Sequence, residues 1–203
     1  MFQLYDPAFG APGLDPERSR GWDAGVDQIL AASRVRLSGT VFGARFEDLI
    51  VFGSGGYRNE SEATARGLEA TAAAVLVPGL ELTASYTHTR AQAETGEDSG
   101  KPLVRRPRHQ GSILLDWTPS HKVDLALGLR QVGEREDLDF TVFPANRVTL
   151  DAYTLVRLAA GWRVADDIRV TGRIENLFDA AYEEVLDFGT AGRAAFVGVE
   201  YSP

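Results

Sequence analysis

Hydrophobic and polar residues alternate strictly in several stretches of this sequence. In residues 121–131, Val123, Leu125, Leu127 and Leu129 alternate with polar or small residues. A period of two places the four apolar side chains on one face of a β-strand, whereas a helix would spread them around its circumference. The segment therefore predicts a strand with one apolar and one polar face.

The same alternation recurs along the chain and predicts about nine strands. Their predicted ranges are 21–30, 34–46, 65–77, 80–91, 109–117, 121–131, 151–163, 168–175 and 193–201. Most have about the 9 to 11 residues that a tilted strand needs to cross a bilayer. No stretch approaches the roughly 18 apolar residues of a membrane helix, so any crossing of a membrane would use strands.

Short and long connections alternate between these predicted strands. The short ones are Ala31 to Ser33, Pro78-Gly79, Thr118 to Ser120 and Val164 to Asp167, and the long ones are the loops 47–64, 92–108, 132–150 and 176–192. In a meander this alternation puts every long loop on one rim and every tight turn on the other. Outer-membrane barrels have that asymmetry, whereas soluble β-proteins rarely need several such loops.

Aromatic residues also fall near the ends of the predicted strands. They are Trp22, Tyr86, Trp117, Tyr153, Trp162 and Tyr201. Membrane barrels place aromatic girdles at both interfaces, although Tyr and Trp are also common at strand ends in any β-protein. The pattern favours a membrane barrel when it is added to the loop asymmetry.

Composition and sequence motifs argue against several classes of function. The net charge of −8 and the scattered arginines argue against nucleic-acid binding. The absence of cysteine removes thiol nucleophiles and zinc–thiolate sites, and no nucleophile elbow, phosphate-binding loop or dinucleotide fingerprint is present. We therefore predict that the chain is not an enzyme and has neither catalytic residues nor a cofactor.

No metal site is predicted either. His88, His109 and His121 lie in different segments without a ligand spacing. Acidic residues gather in two loops, at Glu94, Glu97 and Asp98 and at Glu134, Glu136, Asp137 and Asp139. A calcium ion needs about six to eight converging oxygens, so these acids are expected to be solvated rather than to bind a metal.

The segment 173–201 carries the most specific motif. Its distinctive residues are Asn176, Leu177, Phe178, Asp179, Tyr182, Glu184, Thr190, Ala191, Gly192 and Arg193. This segment resembles the C-terminus of TonB-dependent outer-membrane receptors, and most of all the vitamin B12 (cobalamin) receptor branch. Further likenesses occur at Leu14, Pro16, Glu17, Ser19 and Trp22, at Arg66, Gly67, Leu68, Glu69 and Ala70, and at Lys101 to Pro107 with His109 and Gln110.

Several motif residues have a predicted structural role. Asn176 and Asp179 are suited to accept bonds from nearby backbone amides and to bend the chain after a strand. Gly67 and Gly192 are suited to the start of a strand where a Cβ would clash. Phe178 and Tyr182 are expected to pack inward or at the rim.

The resemblance implies an all-β antiparallel meander that forms the C-terminal portion of a barrel of about 22 strands. The whole range 1–203 then belongs to the barrel domain, as about two-fifths of a receptor without plug domain or signal peptide. Charged residues of the polar face are expected to line the lumen and meet the plug. They are Glu69, Arg157, Arg163, Arg169, Arg173 and Glu175.

The implied function is active transport of a scarce substrate across the outer membrane of a Gram-negative cell, energised through the TonB complex. Cobalamin, a siderophore and another metal chelate all remain possible, and the four long loops are the candidate binding regions. The implied partners are outer-membrane lipid, the missing plug and earlier strands, and the small-molecule substrate. The alternatives are a complete small outer-membrane barrel, against which the odd strand number argues, and a soluble β-barrel binding module.

Overall fold

Nine antiparallel strands form one sheet and all nine predicted strands are confirmed. The computed structural model describes residues 2–53, 55–96 and 98–203, so Ser54 and Glu97 of the predicted loops lie outside the described residues. The elements are α1 (Phe2–Tyr5), β1 (Arg18–Leu30), β2 (Val35–Gly53), β3 (Gly56–Val77), β4 (Leu80–Ala93), β5 (His109–Ser120), β6 (Val123–Val132), β7 (Arg135–Asp139), β8 (Asn146–Leu150), β9 (Tyr153–Ala165), β10 (Ile168–Glu175) and β11 (Ala194–Tyr201).

The main sheet is a meander. Its order is β1-β2-β3-β4-β5-β6-β9-β10-β11, and β7 and β8 pair separately as a hairpin. Within the described residues no ladder joins β1 to β11, so the sheet is an open wall rather than a closed barrel. The alternative of a complete small barrel is therefore not supported.

The register gathers the predicted apolar rows onto one face. Val41 lies opposite Leu68, and Leu115 lies opposite both Leu82 and Leu127. The side chains of this face are exposed: Trp22 is 62% exposed, and other large apolar residues along the face are exposed as well. A sheet with an uncovered apolar face fits lipid contact, and it contradicts the alternative of a soluble barrel with these rows packed inside.

The opposite face is polar and cross-linked. Arg169 bonds Asp124 of β6 at 2.8 Å and Glu200 of β11 at 3.1 Å, and the Ser85 and Ser112 hydroxyls are 2.8 Å apart. Arg173 pairs with Glu175 at 3.4 Å. The charged residues expected to line a lumen thus lie on the face that turns away from the apolar rows.

Aromatic residues mark both edges of the apolar face. Trp117 lies opposite Leu80 and Trp162 opposite Val123, next to the tight turns, whereas Trp22 lies toward the long loops. Tyr153 does not belong to a girdle as predicted, because it is buried on the polar face beneath the loops. Among the described residues, no helix has both the length and the apolar character to span a membrane.

The first long loop was predicted wrongly. Residues 47–53 continue β2 and residues 56–64 belong to β3, with paired residues out to Gly53 and Gly56 and a register shift between Phe46 and Leu49. The N-terminal segment packs on its tip, where Phe9 meets Phe52 with ring centroids 5.4 Å apart. The outer end of this hairpin is therefore in contact with the N-terminal segment rather than a free loop.

Candidate functional site

Three loops meet at the rim opposite the tight turns. They are residues 94–108, 133–152 and 176–193, and the β7–β8 hairpin lies within the second. This hairpin was not predicted, because each of its strands has only five residues and the first carries three acids. We refer to the three segments together as the loop cluster.

Asp137 of β7 joins all three segments. Its Oδ1 accepts hydrogen bonds from Nε of Arg105 at 2.9 Å and from the Leu138 amide at 2.8 Å, and its Oδ2 accepts one from the Leu186 amide at 2.9 Å. The side chain is fully buried. A buried carboxylate is retained only when its acceptor sites are filled, so Asp137 fixes the relative position of the three loops. The expectation that this acid is solvated is wrong.

Two further arginines cross-link the same loops. Arg135 is buried, donates to the carbonyl oxygen of Glu183 and stacks its guanidinium 5.3 Å from the ring centre of Tyr153. Arg147 donates to the Pro102 carbonyl at 3.0 Å and pairs with Asp98 at 3.2 Å. Loop acids thus neutralise Arg147, whereas Arg135 is held by a carbonyl oxygen and an aromatic ring.

These contacts lower the pKa of two loop carboxyls. A hydrogen bond from Lys101 and the charge of Arg147 hold the pKa of Asp98 below its ordinary value. Burial raises the pKa of Asp137, but the amides of Leu186 and Leu138 together with Arg105 outweigh it, so that pKa also lies below its ordinary value. Both acids are charged at neutral pH.

Hydrogen bonds hold the terminal motif in a compact turn within the third loop. Oδ1 of Asn176 accepts from the Ala180 amide at 2.9 Å, and Oδ1 of Asp179 accepts from the Arg193 amide at 2.7 Å. Both residues have positive φ, at 47° and 54°. The predicted bending of the chain by Asn176 and Asp179 is confirmed.

The remaining motif residues add further hydrogen bonds to this turn. The Thr190 hydroxyl donates to the Tyr182 carbonyl at 2.5 Å, and the Leu177 amide donates to Val156 of β9 at 2.8 Å. Nδ2 of Asn176 lies 3.4 Å from the Ala191 carbonyl oxygen. A Cβ on Gly192 would lie 2.7 Å from Oδ1 of Asp179, so a larger residue at position 192 would clash with that side chain. Phe178, in contrast, is largely exposed.

The second motif lies apart from the loop cluster. Arg66, Gly67 and Glu69 are in the interior of β3, so the expectation that they begin a strand is wrong. The expected clash is confirmed, because a Cβ on Gly67 would overlap the carbonyl oxygen of His88 and lie 2.8 Å from Cζ of Phe42. Glu69 lies on the polar face opposite Thr87, and Arg66 lies on the opposite face.

A cavity opens inside the loop cluster. Its volume is about 590 Å³, and Tyr153, Tyr182, Asp179 and Thr190 contribute to its lining. The rings of Tyr153 and Tyr182 are 4.4 Å apart, and the Tyr153 hydroxyl donates to Glu184 at 3.0 Å. Stacked phenols beside hydroxyl and carboxylate groups suit a polar ligand with flat or apolar parts.

Four phenylalanine side chains of the second and third loops are exposed. They are Phe140, Phe143, Phe178 and Phe188. The first two lie at the tip of the β7–β8 hairpin and the others in the third loop. Exposed aromatic rings at these positions are available to contact a ligand. Over the described ranges no group of three or more histidine or acidic residues is placed to hold a metal ion.

Known proteins share the sequence pattern and the fold of this chain. The sequence model for the TonB dependent receptor-like, beta-barrel family matches residues 1–177. The chain belongs to that family. Most of the terminal motif lies beyond the matched residues, and the likeness to the cobalamin branch rests mainly on strand-entry and terminal residues. Members of this family are outer-membrane transport receptors rather than enzymes.

Solved receptors share the fold. The ferripyoverdine receptor of Pseudomonas aeruginosa is 20% identical over 93% of the chain, with a TM-score of 0.79 and 27% of its own length covered. The siderophore receptor PirA from Acinetobacter baumannii is 18% identical over 95% of the chain, with a TM-score of 0.78 and 32% of its length covered. The ferric-catecholate import receptor Fiu of Escherichia coli K12 is 18% identical over 92%, with a TM-score of 0.75 and 27% covered. The chain thus spans about a third or less of each, below the expected two-fifths.

Proposed function

We propose that this chain forms nine strands of the barrel wall of an outer-membrane receptor that takes up a metal chelate. The observation that carries the proposal is the loop cluster, which holds a tyrosine-lined cavity and exposed phenylalanines at one rim of the wall. Its loops are held together by Asp137, Arg135 and Arg147, so the ligand would meet a preorganised surface. Preorganisation reduces the entropy lost on binding.

A ferric siderophore is the preferred substrate class. The similar solved receptors include proteins named for ferripyoverdine, a siderophore and ferric catecholate. Cobalamin is the second candidate, because the motif from Asn176 to Arg193 resembles that branch. Both are polar molecules with extended flat parts, which suits the paired Tyr153 and Tyr182 rings.

Transport requires more than this wall. We propose that the other strands, a plug and a segment that contacts TonB belong to a longer polypeptide, of which residues 1–203 supply one part of the barrel. The charged polar face, with Arg157, Arg163 and Arg169, is then the surface that meets the plug. Reading the genomic sequence in frame upstream tests this, and a stop codon with no plug-encoding sequence nearby would contradict it.

Uptake separates the substrate classes. Cells that express the receptor carrying this chain, in a host without its own receptors, are given radiolabelled ferric siderophore or radiolabelled cobalamin. We expect accumulation that disappears when TonB is deleted. The variant Phe140→Ala/Phe143→Ala removes two exposed rings and should raise the half-saturating concentration, because aromatic contacts with a ligand are lost.

The matched control is Tyr5→Ala, which removes an exposed ring of α1, the segment that packs on the β2–β3 hairpin. Its uptake should equal that of the parent receptor. Uptake that does not depend on TonB, or that responds equally to both changes, would contradict the proposal. Accumulation of cobalamin alone would select the second candidate.

A further inference from the structure

Arginine side chains cluster on the apolar face just beyond its aromatic edge. Arg20 of β1, Arg45 of β2, Arg66 of β3 and Arg90 of β4 share the parity of the apolar rows, and Arg108 precedes β5 beside them. All five are exposed. We call these five residues the arginine patch. It lies on the long-loop side, away from the lumen face.

Register puts like charges of the arginine patch directly opposite one another. Arg20 pairs with Arg45 across β1–β2, and Arg66 pairs with Arg90 across β3–β4. Like charges directly opposite in a sheet are destabilising unless a counter-charge is present. The sheet therefore brings two pairs of arginines opposite each other within a few strands.

The protein itself neutralises only part of this charge. Arg45 pairs with Glu62 at 2.7 Å and with Glu47 at 3.3 Å. Glu94 also borders the patch, but its Oε1 accepts from the Thr64 hydroxyl at 2.5 Å and from Nε2 of Gln92 at 3.1 Å. In the described part of the chain, Arg20, Arg66, Arg90 and Arg108 form no ion pair.

The depth of the patch matches a lipid headgroup. Arg90 follows Leu80, at the tight-turn end of β4, by about ten residues, which is the length of a tilted strand that crosses a bilayer. Trp22 lies two residues from Arg20, and a Cβ on Gly43 would meet its Nε1 at 2.7 Å, so the indole lies flat over this glycine. An indole at this position is typical of the membrane interface. Bare apolar residues such as Leu68 and Val41 continue below it.

We infer that the arginine patch binds the phosphate groups of a lipid in the outer leaflet of the surrounding membrane. Guanidinium groups form charge-assisted, bidentate bonds with phosphate, and all five cations are arginine rather than lysine. The adjoining apolar rows receive the acyl chains of the same molecule. Bound phosphates supply the missing counter-charge for Arg66 and Arg90, and also for Arg20, whose neighbour Arg45 is already paired with two glutamates. The inference rests on the proposed location in an outer membrane, and it assigns a lipid site distinct from the substrate site.

Titration of the purified receptor carrying this chain, in neutral detergent, tests the inference. The probe is lipid A with two phosphates, compared with the same lipid after enzymatic removal of its phosphates and with inorganic phosphate. The variant Arg66→Gln/Arg90→Gln should weaken lipid A binding by at least about tenfold. The control Arg34→Gln/Lys122→Gln removes two positive charges at the tight-turn rim, where both residues are exposed, and should bind like the parent.

Thermal unfolding is a second test, because a variant that had merely lost stability would melt below the parent. Without lipid, Arg66→Gln/Arg90→Gln should melt at the parent temperature or above it, because a repulsive pair is removed. With lipid A, only the parent should gain stability. If this variant fails to fold, Arg20→Gln/Arg108→Gln is titrated in its place and the same loss is expected.

Equal binding of lipid A by parent and patch variant would overturn the inference, as would equal binding of the dephosphorylated lipid. Inorganic phosphate that binds as tightly as lipid A would show a free-anion site instead of a lipid site. The titration does not involve uptake, so a receptor that binds lipid A but transports no chelate would overturn the proposed function and leave this inference standing.

Discussion

Nε of Arg105 lies 2.9 Å from Oδ1 of Asp137, although 32 residues separate the two in the chain. The acceptor is fully buried and also receives the amides of Leu138 and Leu186. One carboxylate thus connects three loops that otherwise lack a shared sheet. The contact gives the rim of this wall a defined shape without extending the barrel strands.

Replacing Asp137 with alanine should release the loop cluster. The change leaves Arg105 and the Leu186 amide without their acceptor, at a cost of about 1–3 kcal/mol to loop docking. Limited proteolysis should then cut within residues 94–108 and 133–152 more rapidly than in the parent. The control Asp139→Ala removes an acid of the same hairpin whose carboxylate accepts from the amide and the hydroxyl of Thr141 in its own turn. Equal cleavage of both variants would contradict the role of Asp137.

The docking of the loops should depend on pH only under acidic conditions. The pKa values of Asp98 and Asp137 are lowered, so their stabilisation is present above the ordinary aspartate pKa of about 3.9 and is lost as pH falls through the lower, folded pKa. Amide resonances of Leu138 and Leu186 should stay constant from neutral pH to about 4 and shift below it. Asp137→Asn should remove most of this dependence. A transition near neutral pH would contradict the assignment.

Substitution of Asn176 should loosen the third loop in two ways, through the loss of its side-chain hydrogen bonds and through strain in its left-handed backbone conformation. Its φ is 47°, and its side chain bonds both the amide and the carbonyl of Ala180. Asn176→Ala loses the bonds and retains a Cβ in a left-handed conformation, whereas Asn176→Gly loses only the bonds. We expect hydrogen exchange in residues 177–193 to quicken in both, and more in the alanine variant. The reverse order would show that backbone strain is unimportant here.

Gly67 and Gly39 provide a matched pair on neighbouring strands. Gly67→Ala should weaken the β3–β4 pairing by about 1–3 kcal/mol, because its Cβ would overlap the His88 carbonyl and press on the Phe42 ring. Gly39→Ala places a methyl group where nothing lies within 4 Å. The unfolding temperature in detergent should fall for the first variant and stay within error for the second. Equal values would show that the strands shift apart without cost.

The alternation of side chains predicted the sheet well because one face meets an apolar medium. Wherever residues such as Leu125 and Leu127 face that medium, period two is strict, and the strand bounds agree with the prediction within a few residues. Above the membrane both faces are wet, so the outer parts of β2 and β3 carry no such pattern. They were therefore predicted as a loop.

The loop cluster could be predicted only in part. The turn formed by Asn176 and Asp179 is local, so its side-chain chemistry was visible in the sequence. The contacts of Asp137 were not, because Arg105 and Leu186 lie 32 and 49 residues away. Nothing in an acidic loop distinguishes a solvated carboxylate from one that a distant guanidinium will bury.

The β2–β3 hairpin makes the rim uneven. β3 has 22 residues, which at about 3.3 Å per residue reaches roughly 70 Å along its tilted path, about twice what the membrane requires. The rings of Phe9 and Phe52 contact each other beside its outer end. The neighbouring strand β4 has only 14 residues, so the hairpin extends beyond it on the long-loop side. We expect a protease or an antibody added from that side to reach this hairpin before the shorter strands.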